Sequence, residues 1–528
     1  MSFRRLAIST AAASLTLVAL GACTMQELRS EPAAYDPARA ERMFIAGYQD
    51  VTAVYLEDVE VDDLALAGLK AVAQIDPELK FDLTDGLVSV GYAETVHALL
   101  PAPAPRDSTG WARLTATAIE EGQRVSPALG DSLAEDLYET VFDGMVAELD
   151  AYSRYAGREE ARENRASRDG FGGIGVRIRV EEEGVRLVSV MERTPAEAAG
   201  LRDQDLIVEI AGKLAAGMDQ RDVVRALRGP IGSSVRVSVR RDQVPAPFDI
   251  DIRRDHIVPQ TVTYRSVNDV AVMRVAGFNQ STTRTLRQKI MQAERELGDD
   301  LRGFVIDLRD NPGGLLDQAV SVADLFIANG RLVSTHGRHP DSHQYFEARR
   351  DDLVGQRPLV VLINGNTASA SEIVAAALQD SRKAVVVGSN SFGKGTVQTV
   401  LRLPNEGELT LTWARFHAPS GYALHRRGVL PDVCIADDTG DLPATLTRLR
   451  SGELTISSLT RQAPVDIDDD AGLQQLRALC PTRDSDGELD VEVAMQLILD
   501  PGLYANAIGS PVTTANTGTR VNEAVRPH

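Results

Sequence analysis

The sequence contains little cysteine, few aromatic side chains and no excess of positive charge. Only three cysteines occur in 528 residues, and no Cys-x-x-Cys pair or histidine cluster accompanies them, which excludes the usual patterns of a structural metal site. The net charge of −20 argues against nucleic-acid binding, because such binding depends on lysine and arginine neutralising phosphates. We therefore expect no metal, no other cofactor and no nucleic-acid partner.

Long apolar runs are also absent, apart from a short one at the N-terminus. Arg4 and Arg5 precede an apolar stretch over 6–20 and small residues before Cys23, which is the layout of an export signal over 1–22. The stretch is shorter than the ~20 residues that a membrane-spanning helix needs. The tetrapeptide at 20–23 resembles the lipobox of bacterial lipoproteins, which implies that Cys23 is lipidated and anchors the protein to a membrane. An ordinary signal peptide with an incidental cysteine is the alternative.

The predicted lipid anchor implies a periplasmic protein. Thr24 follows Cys23 where inner-membrane lipoproteins often carry aspartate, which favours the outer membrane. In an oxidising compartment the two other cysteines, Cys434 and Cys480, are able to pair. The sequence does not give their separation in space, so a disulfide and two unpaired thiols both stay open.

The residue pattern changes several times along the chain and predicts a multidomain α+β protein. Helical periodicity fills about 41–100 and 132–150, with a proline-rich linker at 101–105 between them. Strand-like runs follow, and strands then alternate with helices, which is typical of an α/β domain. The predicted segments are the export signal over 1–22, a tether over 23–40, a helical N-terminal region over 41–168, a small β-rich module over 171–256, an α/β domain over 258–435, a mostly helical region over 436–506 and a flexible tail over 507–528.

A glycine-rich segment over 171–176 opens the β-rich module. Its bare N–H groups can bind an anion such as a C-terminal carboxylate, although a tight turn before an ordinary strand explains the same pattern. The motifs at 194–201, 205–207 and 227–232 follow in the order and spacing of PDZ domains from bacterial proteases. The resemblance covers about 171–256, with Gln204 where such domains usually carry glycine.

The PDZ resemblance implies a site for peptide tails. A substrate's C-terminus would add as a strand beside residues 174–178. Its carboxylate would be held by the N–H groups around Gly173, Ile174, Gly175 and Val176.

Residues 360–380 read as a buried strand, a loop of small residues and a helix that begins near Ser369. A nucleophilic serine at this place gains from the unpaired N–H groups of the helix, which can stabilise an oxyanion. Ser369 and Glu372 also fit a Ser-x-x-Glu capping box, which needs no catalysis. Both interpretations remain open from this segment alone.

Lys394 lies among glycines between two apolar strands, 25 residues after Ser369. Burial can lower the pKa of a lysine from ~10.4 towards ~7–8, where it can accept a proton from serine. A surface turn with a solvated lysine is the alternative. The segment nearly spells a phosphate-binding P-loop, but Gly395 replaces the required serine or threonine and a strand follows, so we discount nucleotide binding.

The third chemical segment, over 304–316, is a strand that ends in an Asn-Pro-Gly-Gly turn. The N–H groups of Gly313 and Gly314 could contribute to an oxyanion hole, and a plain turn is the alternative.

Taken in their order along the chain, the three segments resemble the catalytic core of the carboxyl-terminal processing (tail-specific) peptidases, over about 130–435. The resemblance also includes the motifs at 149–155 and 428–433, and it implies an α/β Ser-Lys peptidase core. The roles that it implies are Ser369 as nucleophile, Lys394 as general base, Gln398 as the group that orients Lys394, and Ala370 with Gly313 or Gly314 as the oxyanion hole. Asp380 falls on another prominent family position, for which a structural role suffices, and all eight histidines, including His417 and His425, are unneeded.

The sequence thus predicts a serine endopeptidase that recognises the C-terminal tails of exported proteins through a PDZ domain and cleaves through an acyl-enzyme. A catalytically silent PDZ scaffold that binds protein C-termini is the alternative. The sequence leaves open the substrates, whether the PDZ domain activates or inhibits, and whether the protein forms homo-oligomers or needs an activating adaptor.

Overall fold

The structure is a computed structural model, and it describes residues 34–349, 352–436, 441–484 and 487–509. The predicted export signal, Cys23 and most of the predicted tether and tail lie outside these ranges. Within them, no helix is long and apolar enough to cross a membrane.

The N-terminal region packs helices around an aromatic core and adds a small antiparallel sheet. Phe44, Tyr48, Trp111 and Phe142 are fully or almost fully buried in this core. Its helices are α1 (Pro37–Val54), α2 (Val61–Ala73), α3 (Ser108–Val125), α4 (Pro127–Gly130), α5 (Ala134–Ala147) and α6 (Arg158–Asp169), and its strands are β1 (Leu79–Thr84), β2 (Leu87–Tyr92), β3 (Thr95–Pro101) and β4 (Arg154–Ala156).

The expected helical pattern over 41–100 is wrong beyond Ala73, because β1, β2 and β3 form a three-stranded sheet there. Leu79 and Phe81 are buried while the residues between and after them are exposed, which is the period of a strand. Asp85 and Gly86 both have positive φ, 51° and 75°, as a tight type I′ hairpin turn requires. In addition, α1 begins inside the segment predicted as tether.

The β-rich module is built around one antiparallel sheet in the order β11-β10-β8-β7-β6, with β9 beside β8. Strand β6 lies at an edge of this sheet. Strands β5 and β12 pair with each other in a separate two-stranded ribbon, through which the chain enters and leaves the module. The elements are β5 (Phe171–Gly173), β6 (Val176–Glu181), β7 (Gly184–Val190), α7 (Pro195–Ala198), β8 (Leu206–Ile210), β9 (Lys213–Leu214), α8 (Gln220–Leu227), β10 (Ser234–Arg240), β11 (Phe248–Arg253) and β12 (Asp255–Ile257).

The α/β domain has a central sheet in the order β13-β14-β15-β18-β19-β22, in which all neighbours from β14 onwards are parallel. A second, antiparallel sheet has the order β17-β16-β21-β20, and β4 joins it beside β21. The elements are β13 (Val262–Val267), β14 (Val270–Val275), α9 (Thr282–Leu297), β15 (Gly303–Asp307), α10 (Leu316–Ala323), β16 (Arg331–His336), β17 (Gln344–Glu347), β18 (Leu359–Ile363), α11 (Ala370–Asp380), β19 (Val385–Gly388), β20 (Thr396–Arg402), β21 (Glu408–His417) and β22 (Val433–Cys434), with short 3-10 helices at Gly298–Asp300 and Pro340–Ser342.

The C-terminal region is helical, as the sequence predicts, and it packs against the central sheet. Its helices are α12 (Leu442–Arg450), α13 (Ser458–Arg461), α14 (Asp470–Ala478), α15 (Glu488–Leu499) and α16 (Pro501–Ala507). Buried Asp490 of α15 pairs with Arg309, which follows β15, at 3.2 Å. Cys434 and Cys480 form a disulfide, which decides between the two alternatives that the sequence left open.

Candidate active site

Three loops meet at the carboxyl edge of the central sheet. They follow β15, β18 and β19, and they carry the Asn-Pro-Gly-Gly turn, Ser369 and Lys394 respectively. Because β15, β18 and β19 are parallel neighbours, their carboxyl ends lie side by side, which is where open α/β sheets bind ligands. The fold therefore brings together the three segments that the sequence singled out.

Ser369 has an unusual backbone at the start of α11. Its φ is 58° and its ψ is −118°, whereas a capping residue normally has extended, negative-φ geometry. A conformation of this kind costs a residue other than glycine about 1–3 kcal/mol and is typical of functional positions. The capping-box explanation alone does not account for this strain.

Glu372 joins the serine loop to the lysine loop. Its Oε2 accepts the N–H of Ser369 at 2.7 Å and the N–H of Lys394 at 2.9 Å. Its Oε1 accepts the N–H of Gly393 at 2.7 Å and the hydroxyl of Ser391. The side chain is fully buried, and burial raises its pKa against the effect of these donors. One carboxylate therefore holds the backbones of both predicted dyad residues.

Lys394 is partly buried beside Tyr152. Its Nζ lies 4.9 Å from the centre of the Tyr152 ring. Burial lowers the pKa of Lys394, and the positive charge of Arg154 lowers it further, while Asp150 and Glu372 oppose the shift. The net direction favours a neutral amine, which is the form that a general base requires.

Gln398 is connected to Lys394 only indirectly. Its Nε2 donates to the hydroxyls of Thr396 at 2.9 Å and Thr412 at 3.2 Å, and among the described residues no hydrogen bond joins it to Lys394. The Thr412 hydroxyl donates in turn to Asp150 at 3.0 Å. Gln398 thus belongs to a network that ends on a charge acting on Lys394, and its role as an orienting group stays a prediction.

The glycine turn touches the serine loop directly. A Cβ atom on Gly313, whose φ is 102°, would lie 2.9 Å from the Ser369 Cβ and 3.0 Å from the Ala370 nitrogen, so only glycine fits. The Gly313 N–H donates to the Asn311 side chain at 2.9 Å and is therefore engaged. Among the described residues, the N–H groups of Gly314 and Ala370 have no acceptor. Of the two glycines that the sequence proposed, Gly314 is the one with an available donor.

Asn311 holds the glycine turn and the serine loop together. It is fully buried, and its carbonyl oxygen accepts the N–H of Ala368 at 3.0 Å and the hydroxyl of Ser371 at 2.9 Å. Its amide nitrogen donates to the carbonyl oxygen of Val275 at 2.7 Å. The turn and the serine loop are consequently locked to each other and to β14.

Comparisons with known proteins identify the families that this chain resembles. The family model described as peptidase family S41 matches residues 269–435, and a PDZ domain model matches residues 186–241. A carboxy-terminal-processing protease of Bartonella bacilliformis is 41% identical over 303 residues, which cover 57% of this chain and 70% of that protein. The chain belongs to peptidase family S41. The family and the fold class predicted from the sequence are thereby confirmed.

Two further similarities to this S41 peptidase are more distant. A probable CtpA-like serine protease of Staphylococcus aureus is 34% identical over 306 residues, covering 57% of this chain and 60% of the relative. The solved structure of a photosystem II D1 C-terminal processing protease is 24% identical, with a TM-score of 0.40, covering 77% of this chain and 96% of that one.

In the PDZ domain of this S41 peptidase, the four residues predicted to bind a peptide tail lie around the start of the edge strand β6. Gly173 is the last residue of β5, Ile174 and Gly175 form the connection, and Val176 begins β6, two residues later than predicted. The carbonyl oxygens of Ile174 and Gly175 accept the N–H groups of Ala196 and Met191, at 2.8 and 3.0 Å. Whether their N–H groups bind a carboxylate stays a prediction.

Sequence reasoning missed several residues around the site. It treated Glu372 only as a cap, although the glycine-rich lysine loop, with its many N–H groups, signals the need for a buried acceptor. The resemblance includes the motif at 149–155, but it assigns no role to Asp150, Tyr152 or Arg154. Two charged side chains and an aromatic ring close to the start of strand β4 were the features that could have indicated one.

The remaining predictions concern residues outside the chemistry. Asp380 accepts the N–H and hydroxyl of Ser420, at 3.0 and 2.6 Å, which is compatible with a structural role. The ring of His425 packs 6.1 Å from that of Tyr152, and burial lowers its pKa. Within the described ranges, no group of three or more potential ligands could hold a metal ion.

Proposed function

We propose that this S41 peptidase is a serine endopeptidase with a Ser369–Lys394 dyad. The observation that carries the proposal is the shared carboxylate: one oxygen of Glu372 accepts the N–H groups of both residues, so their backbones lie next to each other. The strained backbone of Ser369 and the lowered pKa of Lys394 support the same roles.

In the proposed reaction the Ser369 hydroxyl attacks the scissile carbonyl while Lys394 takes its proton. The oxyanion that forms is stabilised by the N–H groups of Gly314 and Ala370, and each such donor contributes ~2.7–4 kcal/mol in comparable enzymes. Lys394 then gives the proton to the leaving amine. Water, deprotonated by the same lysine, hydrolyses the acyl-enzyme and restores Ser369.

We further propose that the PDZ domain selects the C-terminal tails of exported proteins. Strand β6 lies at the sheet edge, where an extended peptide can add as a further strand. The disulfide supports an oxidising compartment, and the sequence around Cys23 supports a lipid anchor in the periplasm, with the outer membrane favoured.

The proposal is tested with the purified chain lacking residues 1–23 and an unfolded protein that has an apolar C-terminus. Wild type should cleave near that end, whereas Ser369→Ala and Lys394→Ala should each lose cleavage while retaining tail binding. Equal cleavage by all three proteins would exclude the dyad. Absence of cleavage by wild type, with tail binding intact, would favour the silent scaffold.

The role of the PDZ domain needs a separate variant. A short linker replacing residues 174–254 should leave the catalytic domain intact, because the chain enters and leaves the domain through the paired strands β5 and β12. Loss of cleavage with retained acylation of Ser369 supports tail selection. A rise in cleavage would instead show that the domain restrains the site.

A further inference from the structure

The C-terminal helical region lies beyond the segment matched by the family model, yet it reaches the lysine loop. Arg477 of α14 donates through Nη2 to the carbonyl oxygen of Ser391 at 3.2 Å and through Nη1 to that of Phe392 at 3.5 Å. The same Nη1 donates to the carbonyl oxygens of Arg426 and Arg427, at 3.3 and 3.0 Å. One guanidinium therefore contacts four backbone carbonyls of two adjoining segments.

The lysine loop is consequently held from both sides. Its N–H groups at Gly393 and Lys394 donate to Glu372, and its carbonyl oxygens at Ser391 and Phe392 accept from Arg477. Glycines on both sides of Lys394 give the loop little intrinsic stiffness. Burial lowers the pKa of Arg477 and the charge of Glu372 opposes this shift, so the two groups act on each other across the loop.

A disulfide anchors the chain three residues after Arg477. Cys480 lies two residues beyond Ala478, the last residue of α14, and is bonded to Cys434, the last residue of β22. The apolar cluster around this bond is small: Leu430, Leu476 and Cys480 are buried in it, and Cys434, Ala436, Ile456 and Val465 pack against them while staying partly exposed. A small apolar cluster of this kind fixes a segment weakly without a covalent link.

We propose that Arg477 is a positioning residue for Lys394 and that the Cys434–Cys480 disulfide sets its position, so that full peptidase activity requires the oxidised pair. A dithiol reductant would transfer two electrons and two protons to the disulfide, producing two thiols and its own cyclic disulfide. Helix α14 would then lose its covalent tether, and the lysine loop would lose its outer support. The inference rests on the proposed Ser369–Lys394 chemistry.

The first test replaces Arg477 in the chain lacking residues 1–23. Arg477→Gln should lower kcat and the rate of Ser369 acylation by a small fluorophosphonate by roughly 10–100-fold, since small displacements of catalytic groups have effects of this size. KM should stay within about twofold, because the substrate contacts are not altered. Arg477→Lys should recover part of the loss, because the ammonium keeps donors but lacks the planar fork.

A matched control is Arg448→Gln. Arg448 lies on α12 of the same C-terminal region and pairs with Glu453. Its replacement should leave acylation unchanged. If Arg448→Gln and Arg477→Gln reduce acylation equally, or if Arg477→Gln acts only on KM or on thermal stability, the positioning role is refuted.

The second test combines reduction with the Arg477 variant. Reduction by a dithiol, or the double change Cys434→Ser with Cys480→Ser, should slow acylation of wild type to about the rate of Arg477→Gln. The oxidised Arg477→Gln protein should respond little to reduction, because changes acting through one contact are not additive. Equal fractional losses in both backgrounds, or no loss in wild type, would overturn the link to the disulfide. Failure of oxidised wild type to be acylated at all would instead overturn the proposed function.

Discussion

Replacement of Glu372 by glutamine tests the central contact of the site most directly. The carboxylate is fully buried and accepts hydrogen bonds on both oxygens, from Ser369 and Lys394 on Oε2 and from Ser391 and Gly393 on Oε1. Glutamine has nearly the same shape, but it has one acceptor oxygen and one NH2 group. The variant therefore changes the hydrogen bonding without creating a cavity.

Both orientations of the amide leave donors facing donors. If the NH2 group takes the place of Oε2, the N–H groups of Ser369 and Lys394 both lose their acceptor. If it takes the place of Oε1, the Ser391 hydroxyl can turn to accept a hydrogen bond from it, but the Gly393 N–H loses its acceptor. A buried donor without an acceptor costs about 1–3 kcal/mol, and bonds to a charged acceptor are stronger than average. We expect Glu372→Gln to lower the free energy of unfolding by about 2–5 kcal/mol.

The same change should also disturb the serine and lysine loops, because one orientation of the amide removes the acceptor shared by Ser369 and Lys394 and the other removes the acceptor of Gly393. Acylation of Ser369 by a fluorophosphonate should slow by about 10²-fold at a temperature where the variant is still folded. Urea unfolding followed by circular dichroism measures the loss of stability. Glu453→Gln, the same chemical change at an exposed glutamate, is the control and should alter neither quantity. If Glu372→Gln matched wild type in both measurements, the shared carboxylate would not organise the site.

Three further predictions follow from the structure. Because burial and Arg154 lower the pKa of Lys394, kcat/KM should rise with pH along a limb centred below 10.5 as the amine loses its proton, and Arg154→Gln should move that limb to higher pH in a pH–rate profile. Gly313→Ala should abolish measurable acylation of the serine, because the added Cβ would lie 2.9 Å from the Ser369 Cβ; a variant acylated at the wild-type rate would refute the close approach. A tail peptide paired with β6 would place alternate residues opposite exposed Arg177 and Arg179, so glutamate at those positions should tighten binding by roughly twofold to fivefold over lysine in calorimetry, and Arg177→Glu with Arg179→Glu should reverse the preference.

The general location of the site could be predicted from the sequence because its parts are local. The strand, loop and helix around Ser369 and the glycine-rich loop around Lys394 are each contiguous, and their order along the chain resembles one family. The contact that joins them was hidden, because Ser369 and Glu372 already satisfy a local capping pattern. The other donors to Glu372 come from a loop some twenty residues later, and no local rule connects the two.

The contacts of Gln398 were equally out of reach of the sequence. Its amide donates to Thr396 and to Thr412 of the neighbouring strand β21, and its role as the group that orients Lys394 stays a prediction. The hairpins after Ala73 were missed because short, half-buried strands contain apolar residues at spacings that also fit a helix. The Asp85–Gly86 turn was the signal that could have separated the two interpretations.

The ribbon of β5 and β12 has a consequence for protein engineering. Gly173 and Asp255 face each other in this pair, so the two ends of the PDZ domain are about 5 Å apart, as paired strands are. A domain with neighbouring ends can be exchanged without lengthening or stretching the chain that carries it. Grafting a PDZ domain of different preference between these two residues should therefore give a peptidase with the same bond-breaking machinery and a new choice of tail.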